Sequence, residues 1–399
     1  MSQKAEPATR QGPRAILADR VFDGRRWHAH SAVLIQGGRI RGTAARAEVP
    51  PEWPRLHLPA GSILAPGFID LQVNGGGGVL LNDQPTIEGM RAIARAHRRF
   101  GTTACLPTLI TDTRAKMAAA IGAARSIAGR DGVLGVHLEG PFINSARKGI
   151  HRADLIATAG PADLEMLAAL PSAGRSLVTL APECVPAGFI RQLTVSGVCL
   201  SIGHSQATAG EVACAVGEGA TGVTHLFNAM PPLGSRAPGI IGAALADERL
   251  IAGIIVDGLH VDPVAVRAAF AAKGPEGIAL VTDAMPTVGA EIDTFDLLGR
   301  DITLADGRLT AEDGTLAGAH LDMASAVRNA VNLAGLALEQ ALQAASLTPA
   351  RFLNIASERG SLAPGAYADL VALSPALEVI ATWAEGDEAL YDSEADASA

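Results

Sequence analysis

VLGVHLE (133–139) is one of eight short apolar runs that decide the fold of this 399-residue chain. Helical patterns rich in Ala and Arg, such as Ile87–Phe100 and Arg114–Ala128, lie between these runs. Continuous apolar strands that alternate with helices are typical of parallel β-structure buried on both faces. The predicted strands are Leu64–Val73, Thr103–Thr108, Val133–Glu139, Leu177–Pro182, Val198–Gly203, Gly222–Leu226, Ile251–Asp257 and Ile278–Asp283.

Eight such units predict an α/β fold of the (β/α)8 TIM-barrel type. A doubly wound sheet is the competing fold, but no GxGxxG follows the first strand. Short strands with turn signals fill Ala15–Leu64 and return at Leu362–Leu373, so the two ends are expected to form one small β-sandwich domain. The predicted division is a disordered leader (1–13), the sandwich (14–64 and 359–383), the barrel (65–358) and an acidic tail (384–399).

Composition excludes several classes of protein. Hydrophobic residues make up 48% and charged residues 18%, which excludes extensive disorder. The net charge of −9 argues against a nucleic-acid partner. No apolar stretch has the length of a signal peptide core or a membrane span, so no membrane partner is expected. Four separated cysteines without a CxxC pair fit a reducing compartment, and we predict a cytoplasmic protein.

Polar side chains stand at the carboxyl ends of most predicted strands. Active sites of barrels are built at these ends, and a buried strand does not otherwise need a charged residue. The residues concerned are Asp70, Gln72, Asn74, His137, Glu139, His204, His225, Asp257, His260 and Asp283.

Glu139, His204 and His225 combine one carboxylate with two imidazoles, a common set for a catalytic divalent metal. Each residue alone is weak evidence, since a single strand-end histidine is more often structural. Asp283 fits a general base and acid beside such a metal, or equally a helix N-cap.

A loop and three further residues each allow a ligand-binding and a structural interpretation. The loop from Asn228 to Arg236 could hold a phosphate through its amides and guanidinium, or be an ordinary Pro/Gly loop. His151 and His260 could each bind a ligand or be loop histidines. Glu183 ends the fourth strand, where a structural role is favoured over a second metal.

At these motifs the chain resembles the amidohydrolase superfamily and, within it, the N-acetylglucosamine-6-phosphate deacetylase family. The order and spacing of the matching blocks agree from about Ala15 to Ala381. The blocks include PGFIDLQVNG (66–75), HLEGPF (137–142), KGIH (148–151), GHS (203–205), THLFNAM (224–230), DGLH (257–260), VTDAM (281–285) and GTLAG (314–318).

The resemblance implies hydrolysis of N-acetylglucosamine 6-phosphate to glucosamine 6-phosphate and acetate, in amino-sugar catabolism or recycling. It implies one divalent metal ion per subunit, expected to be zinc with iron, manganese or cobalt as alternatives. The ion would be held by Glu139, His204 and His225, with Asp283 as acid and base and His151 stabilising the oxyanion. A homodimer is implied, in which the neighbouring subunit completes the phosphate site. The implied substrate-binding residues are Ile150, His151, Asn228, Ala229, Arg236, Asp257, His260, Leu316, Ala317 and Gly318, with Arg236 and His260 as phosphate contacts.

The chain departs from the superfamily at two places. Gln72 and Asn74 replace the usual His-x-His pair, and Glu183 stands where binuclear members carry a lysine. Both argue against a dihydroorotase-like binuclear enzyme, and leave Gln72 and Asn74 as candidates for a weak second metal site or its surrounding shell. The alternatives kept open are an N-acetylgalactosamine-6-phosphate deacetylase, a hydrolase of another amide, and a non-catalytic binding protein on this scaffold.

Overall fold

The computed structural model describes residues 12–390, except the side chains of residues 388–390. Most of the predicted leader and residues 391–399 of the predicted tail lie outside this range. The strands are β1 (Arg14–Phe22), β2 (Trp27–Gln36), β3 (Arg39–Ala45), β4 (Arg55–His57), β5 (Ile63–Pro66), β6 (Phe68–Val73), β7 (Gly75–Gly76), β8 (Val79–Leu80), β9 (Thr102–Ile110), β10 (His137–Glu139), β11 (Leu177–Leu180), β12 (Cys199–Ile202), β13 (Gly222–Val223), β14 (Ile251–Ile255), β15 (Ile278–Val281), β16 (Thr294–Asp296), β17 (Asp301–Ala305), β18 (Arg308–Ala311), β19 (Leu370–Leu373), β20 (Val379–Ala384) and β21 (Asp387–Leu390). The α-helices are α1 (Ile87–Arg98), α2 (Arg114–Ile127), α3 (Pro161–Ala168), α4 (Phe189–Val195), α5 (Ala209–Gly217), α6 (Gly239–Ala246), α7 (Pro263–Lys273), α8 (Met323–Asn332), α9 (Leu338–Ala345) and α10 (Leu347–Phe352).

Eight parallel strands form the central barrel, in the order β6, β9, β10, β11, β12, β13, β14 and β15. The first and last strands meet through a bridge between Val73 and Ala284, and the Asp283 N–H donates to the Gln72 carbonyl at 3.0 Å. Every residue of β6, β9, β10 and β11 is buried, as expected for strands covered on both faces. The predicted barrel with a separate small β domain is confirmed.

Local sequence signals set the first two barrel helices. Thr86 and Thr113 cap α1 and α2, each accepting a hydrogen bond from a main-chain N–H three residues on. The buried face of α1 includes Met90, Ile93 and Ala94, which pack on the barrel. These caps fix where the helices begin, and hence how the strands on either side are joined.

The small domain is one eight-stranded sheet built from β1 to β5 and β19 to β21. One face packs a separate core that includes Ile16, Val33, Leu64 and Trp383. The predicted first barrel strand, Leu64–Val73, is divided between the two sheets: β5 pairs with β1 and β19, whereas β6 enters the barrel. Gly67 separates them, where a Cβ would collide with Thr103.

The predicted start of the acidic tail, at residue 384, is too early in the chain. β21 pairs antiparallel with β20, so residues 387–390 form the last strand of the small sheet. Glu385 and Gly386 have φ of +53° and +83°, the left-handed conformation of a tight hairpin turn. Charged residues are common on edge strands because they discourage pairing with other chains, which explains why this segment resembles a tail.

An additional three-stranded antiparallel sheet, β16 to β18, follows the last barrel strand and was not predicted. Ile302 and Leu309 of this sheet, with Leu297 just after β16, pack with Ile150 and Met285 at the mouth of the barrel. Among residues 12–390, no helix has both the length and the apolar character needed to cross a bilayer.

Candidate active site

Four strand ends bring titratable side chains to one mouth of the barrel. Glu139 is the last residue of β10, and His204, His225 and Asp283 each follow the end of β12, β13 and β15 by two residues. The three that follow have positive φ values of +49°, +31° and +52°. Such backbone conformations are costly for residues other than glycine and cluster at functional sites.

The side chains of Glu139, His204 and His225 converge on one point. Glu139 Oε1 lies 3.2 Å from His204 Nε2 and 3.1 Å from His225 Nε2, and the two ring nitrogens are 3.0 Å apart. Donor atoms bound to one tetrahedral zinc at its usual bond lengths lie about 3.4 Å from one another. The three atoms are thus spaced almost as a shared metal ion requires.

The proton positions also fit a metal. His204 Nδ1 lies 2.8 Å from the Arg147 carbonyl oxygen, which can only accept, so Nδ1 carries the proton. In the neutral ring Nε2 then presents a lone pair to the Glu139 carboxylate, which also only accepts. A cation between the two resolves this clash, and a carbonyl that orients a ligating imidazole is usual at metal sites.

Electrostatics favour an ionised Glu139. Burial opposes its ionisation, but the neighbouring imidazoles of His204 and His225 hold the pKa of Glu139 well below its usual value. Burial disfavours protonation of His225, yet the hydrogen bond and charge of Glu139 raise the pKa of His225 above its usual value. The carboxylate is therefore set to face positive charge.

Asp283 is held next to this cluster by two amides. Its Oδ1 accepts hydrogen bonds from Gln72 Nε2 at 3.0 Å and Asn74 Nδ2 at 2.6 Å. Gln72 Nε2 also donates to Glu139 Oε1 at 3.1 Å, so one amide nitrogen joins the two carboxylates. Burial and the negative charge of Glu139 raise the pKa of Asp283 to about 6. A carboxyl group with a pKa in this range can both accept and return a proton near neutral pH.

His151 lies beside His204, with ring centroids 4.3 Å apart. Its Nδ1 is 2.7 Å from Thr111 Oγ1. Burial and the neighbouring His204 hold the pKa of His151 well below its usual value, so the ring is neutral. A ligand atom of His151 also lies within 4.8 Å of those of Glu139 and His204, which places it at the edge of the metal cluster.

A cavity of about 260 Å³ opens above these groups. Its walls include Ile150, Asn228, Ala229, Leu316 and Gly318, all of which were predicted to bind substrate. Ile110, Gly149, Ile255, Met285 and Thr315 also line it and were not predicted. Ala317 is fully buried and packs behind the wall.

The two predicted phosphate contacts differ in position. His260 lines the cavity, and its Nδ1 lies 2.6 Å from Asp257 Oδ2, so Asp257 orients the ring. Arg236 is exposed in the loop between His225 and α6 and is not part of the cavity wall of this chain. The structure therefore brings His260 to the site and leaves Arg236 outside the cavity wall.

Two supporting groups were missed or undervalued from sequence. Thr111 directly follows β9 and holds His151, but threonine is so common in strands that its type gives no signal. Glu183 accepts hydrogen bonds from Asn144 Nδ2 at 3.0 Å, Ser205 Oγ at 2.7 Å and the Gln206 N–H at 2.7 Å. It ties together the loops that follow Glu139 and His204, which agrees with the structural role favoured for it.

Comparison with known proteins identifies the family. The model of the Amidohydrolase family matches residues 63–389. An N-acetylgalactosamine-6-phosphate deacetylase of Shewanella sp. (strain ANA-3) is 42% identical over 372 residues, covering 92% of this chain and 93% of its own length. The N-acetylglucosamine-6-phosphate deacetylase of Bos taurus is 40% identical over 342 residues, covering 82% and 83%. The crystal structure of N-acetylglucosamine-6-phosphate deacetylase from Pasteurella multocida superimposes with a TM-score of 0.91 at 32% identity, covering 95% of this chain and 100% of that one.

The barrel and the cluster at its mouth define an enzyme that hydrolyses carbon–nitrogen bonds. The chain belongs to the amidohydrolase family, and the resemblance seen in its sequence motifs is confirmed.

Proposed function

We propose that this enzyme removes the acetyl group from N-acetylglucosamine 6-phosphate, giving glucosamine 6-phosphate and acetate, as a step in amino-sugar recycling. The observation that carries the proposal is that a cation site and a proton-transferring carboxyl group lie together in one cavity. Glu139, His204 and His225 form a cation site, and Asp283 is joined to it through Gln72. Relatives over most of the chain length deacetylate such sugar phosphates, as their names state.

Glu139, His204 and His225 would hold one divalent metal ion per subunit. When bound, such an ion lowers the pKa of water and polarises the scissile carbonyl. One carboxylate and two imidazoles suit zinc best, and the same donors accept iron, manganese or cobalt. Gln72 and Asn74 use their amide nitrogens on Asp283, so their place is in the shell around the cluster.

Asp283 carries the proton in both halves of the reaction. It first accepts a proton from the attacking water as the new C–O bond forms at the acetyl carbon. It then gives that proton to the sugar nitrogen as the C–N bond breaks, so the amine leaves neutral. The two amides on Oδ1 keep the carboxyl group oriented through both transfers.

His151 would stabilise the negative charge that develops on the acetyl oxygen. The ring is neutral and buried, and it lies at the cavity wall next to His204. A donor fixed before the reaction stabilises an oxyanion without reorganising, and loss of one such donor typically costs roughly 10²–10³-fold in kcat.

His260, on the cavity wall, would anchor the sugar phosphate. Arg236 would reach the phosphate from its exposed loop, either in its own subunit or across a homodimer in which the neighbouring subunit completes the site. This remote anchor contributes binding energy that positions the acetyl group.

The second candidate substrate is N-acetylgalactosamine 6-phosphate. The specific observation in its favour is the 42% identity to a deacetylase of that sugar, against 40% for the bovine glucosamine enzyme. The two sugars differ only at C4, so the same metal cluster and the same Asp283 serve both.

The test is amine release from both sugar phosphates and from unphosphorylated N-acetylglucosamine, with zinc, manganese or a chelator. The proposal predicts turnover of N-acetylglucosamine 6-phosphate that needs metal and falls sharply without the phosphate. A kcat/KM higher for the galacto isomer would assign the second candidate. Absence of turnover on all three sugars would favour another amide substrate or a non-catalytic binding protein.

A further inference from the structure

Thr111 is a buried residue beside the cavity that the mechanism above does not use. The residue is 1% exposed, and its Oγ1 lies 2.7 Å from His151 Nδ1. Gly140, which follows the metal-site residue Glu139, leaves room for this hydroxyl, because a Cβ there would collide with Thr111 Oγ1. The missing side chain at Gly140 therefore lets the Thr111 hydroxyl lie against His151.

We propose that Thr111 is a positioning residue, which donates its hydroxyl proton to His151 Nδ1 and so keeps the ring proton on Nε2. The role of that proton in catalysis rests on the proposed function, whereas the proton arrangement itself does not. His151 then acts as a hydrogen-bond donor to substrate.

The distances select this arrangement. The other acceptor within reach of the Thr111 hydroxyl is the Glu139 carbonyl oxygen, at 3.4 Å. Hydroxyl groups donate over about 2.5–3.0 Å. His151 Nδ1 at 2.7 Å is within that range, whereas the Glu139 carbonyl at 3.4 Å is beyond it, so the hydroxyl proton points to the ring nitrogen.

Two neighbouring imidazoles would then hold opposite tautomers. His204 Nδ1 donates to the Arg147 carbonyl, which leaves its Nε2 lone pair for a metal. His151 Nδ1 accepts from Thr111, which leaves Nε2 as a donor and removes the lone pair that metal ligation needs. The hydrogen-bond partner of each Nδ1 thus makes His204 a metal ligand and His151 a hydrogen-bond donor, although their ring centroids are only 4.3 Å apart.

The kinetic test compares Thr111→Val, which keeps the shape but lacks the hydroxyl, with Thr111→Ser, which restores it. Thr111→Val should lower kcat roughly 10- to 100-fold, the usual effect of losing such a supporting contact, while KM and metal content stay unchanged. Thr111→Ser should recover kcat to within a few-fold. Thr103→Val is the matched control, because Thr103 is a buried threonine at the other end of β9 whose hydroxyl donates to the Phe68 carbonyl at 3.3 Å, away from His151. Unchanged kcat in Thr111→Val would overturn the proposal.

The spectroscopic test is independent of any substrate. Ring ¹⁵N shifts of the zinc-loaded protein, assigned with His151→Asn, should show the His151 proton on Nε2 in the wild type and a mixture of tautomers in Thr111→Val. A proton on Nδ1 with a metal-bound Nε2, or metal loss in Thr111→Val, would make His151 a ligand and overturn the proposal. If the wild type hydrolyses neither sugar phosphate, the proposed function fails, and the ring proton still decides the role of Thr111.

Discussion

Replacing Gln72 with Met should move the acidic limb of the activity profile to higher pH. Gln72 Nε2 donates to Asp283 Oδ1 at 3.0 Å and to Glu139 Oε1 at 3.1 Å, and the residue is 2% exposed. Met has a similar shape but no donor. Asp283 must be ionised to accept a proton, so any change that raises its pKa requires a higher pH for activity.

The size of the shift in the Asp283 pKa follows from the hydrogen bonds that Asp283 keeps in the variant. A hydrogen bond to a charged group contributes about 1.5–3 kcal/mol. Asn74 still donates to the same Asp283 oxygen at 2.6 Å, which places the loss at the lower end of that range. About 1.4 kcal/mol corresponds to about one pKa unit. The pKa of Asp283, already raised to about 6 by burial and by Glu139, should rise by about one further unit.

The assay is kcat/KM against pH at saturating metal for the wild type and Gln72→Met. At pH values below the Asp283 pKa of both proteins, kcat/KM of the variant should be roughly 10-fold lower than that of the wild type, following the one-unit shift. On the plateau the two values should be similar. Gln192→Met is the matched control, because Gln192 is exposed on α4 and its amide donates only to the Gly188 carbonyl. A limb that stays in place or moves to lower pH would refute the role given to Gln72.

Three further changes have defined outcomes. Asp283→Asn should retain one metal per chain but lose roughly 10²–10⁴-fold in kcat; metal analysis with kinetics checks this, and retained turnover would reject the acid and base role. Arg236→Ala should raise KM for the sugar phosphate roughly 10- to 100-fold through loss of a charged contact, with exposed Arg308→Ala as control; an unchanged KM removes Arg236 from the phosphate site. Arg359→Met should lower the free energy of unfolding by roughly 3–5 kcal/mol, because it leaves the buried Asp369 carboxylate without its cation; denaturant unfolding measures this, and a loss below about 1 kcal/mol would contradict it.

The barrel could be predicted because its strands are covered on both faces and read as unbroken apolar runs. The same burial on both faces made it impossible to predict from the sequence that the first strand divides into β5 and β6 at Gly67. β5 and β6 are both fully buried, so the apolar pattern continues while the chain passes from one sheet to the other. What marks the change is a close approach of Gly67 to Thr103, which depends on the tertiary structure.

Exposed strands were the hardest to predict. β16 and β17 are largely exposed, and β21 begins with an aspartate after a two-residue turn. Short strands of this kind bury too little apolar surface to impose an alternating pattern. Their pairing comes from neighbouring strands, which the local sequence does not encode.

The site shows a similar limit. Barrel geometry alone indicated that Glu139, His204, His225 and Asp283 would meet, because strand ends share one face. Residue types could not show that the Gln72 amide joins two carboxylates, nor that Thr111 and a main-chain carbonyl set opposite tautomers in neighbouring histidines. Such features depend on angstrom-scale distances between segments far apart in the chain.

The most direct test of the central claim is a metal titration of chelator-stripped enzyme, followed by turnover of N-acetylglucosamine 6-phosphate. If Glu139, His204 and His225 hold the catalytic metal, activity should rise linearly with added zinc and reach its plateau at one equivalent per chain. His204→Asn should abolish both tight binding and the rise in activity. Full turnover by the stripped enzyme, or a plateau that His204→Asn leaves unchanged, would contradict the account.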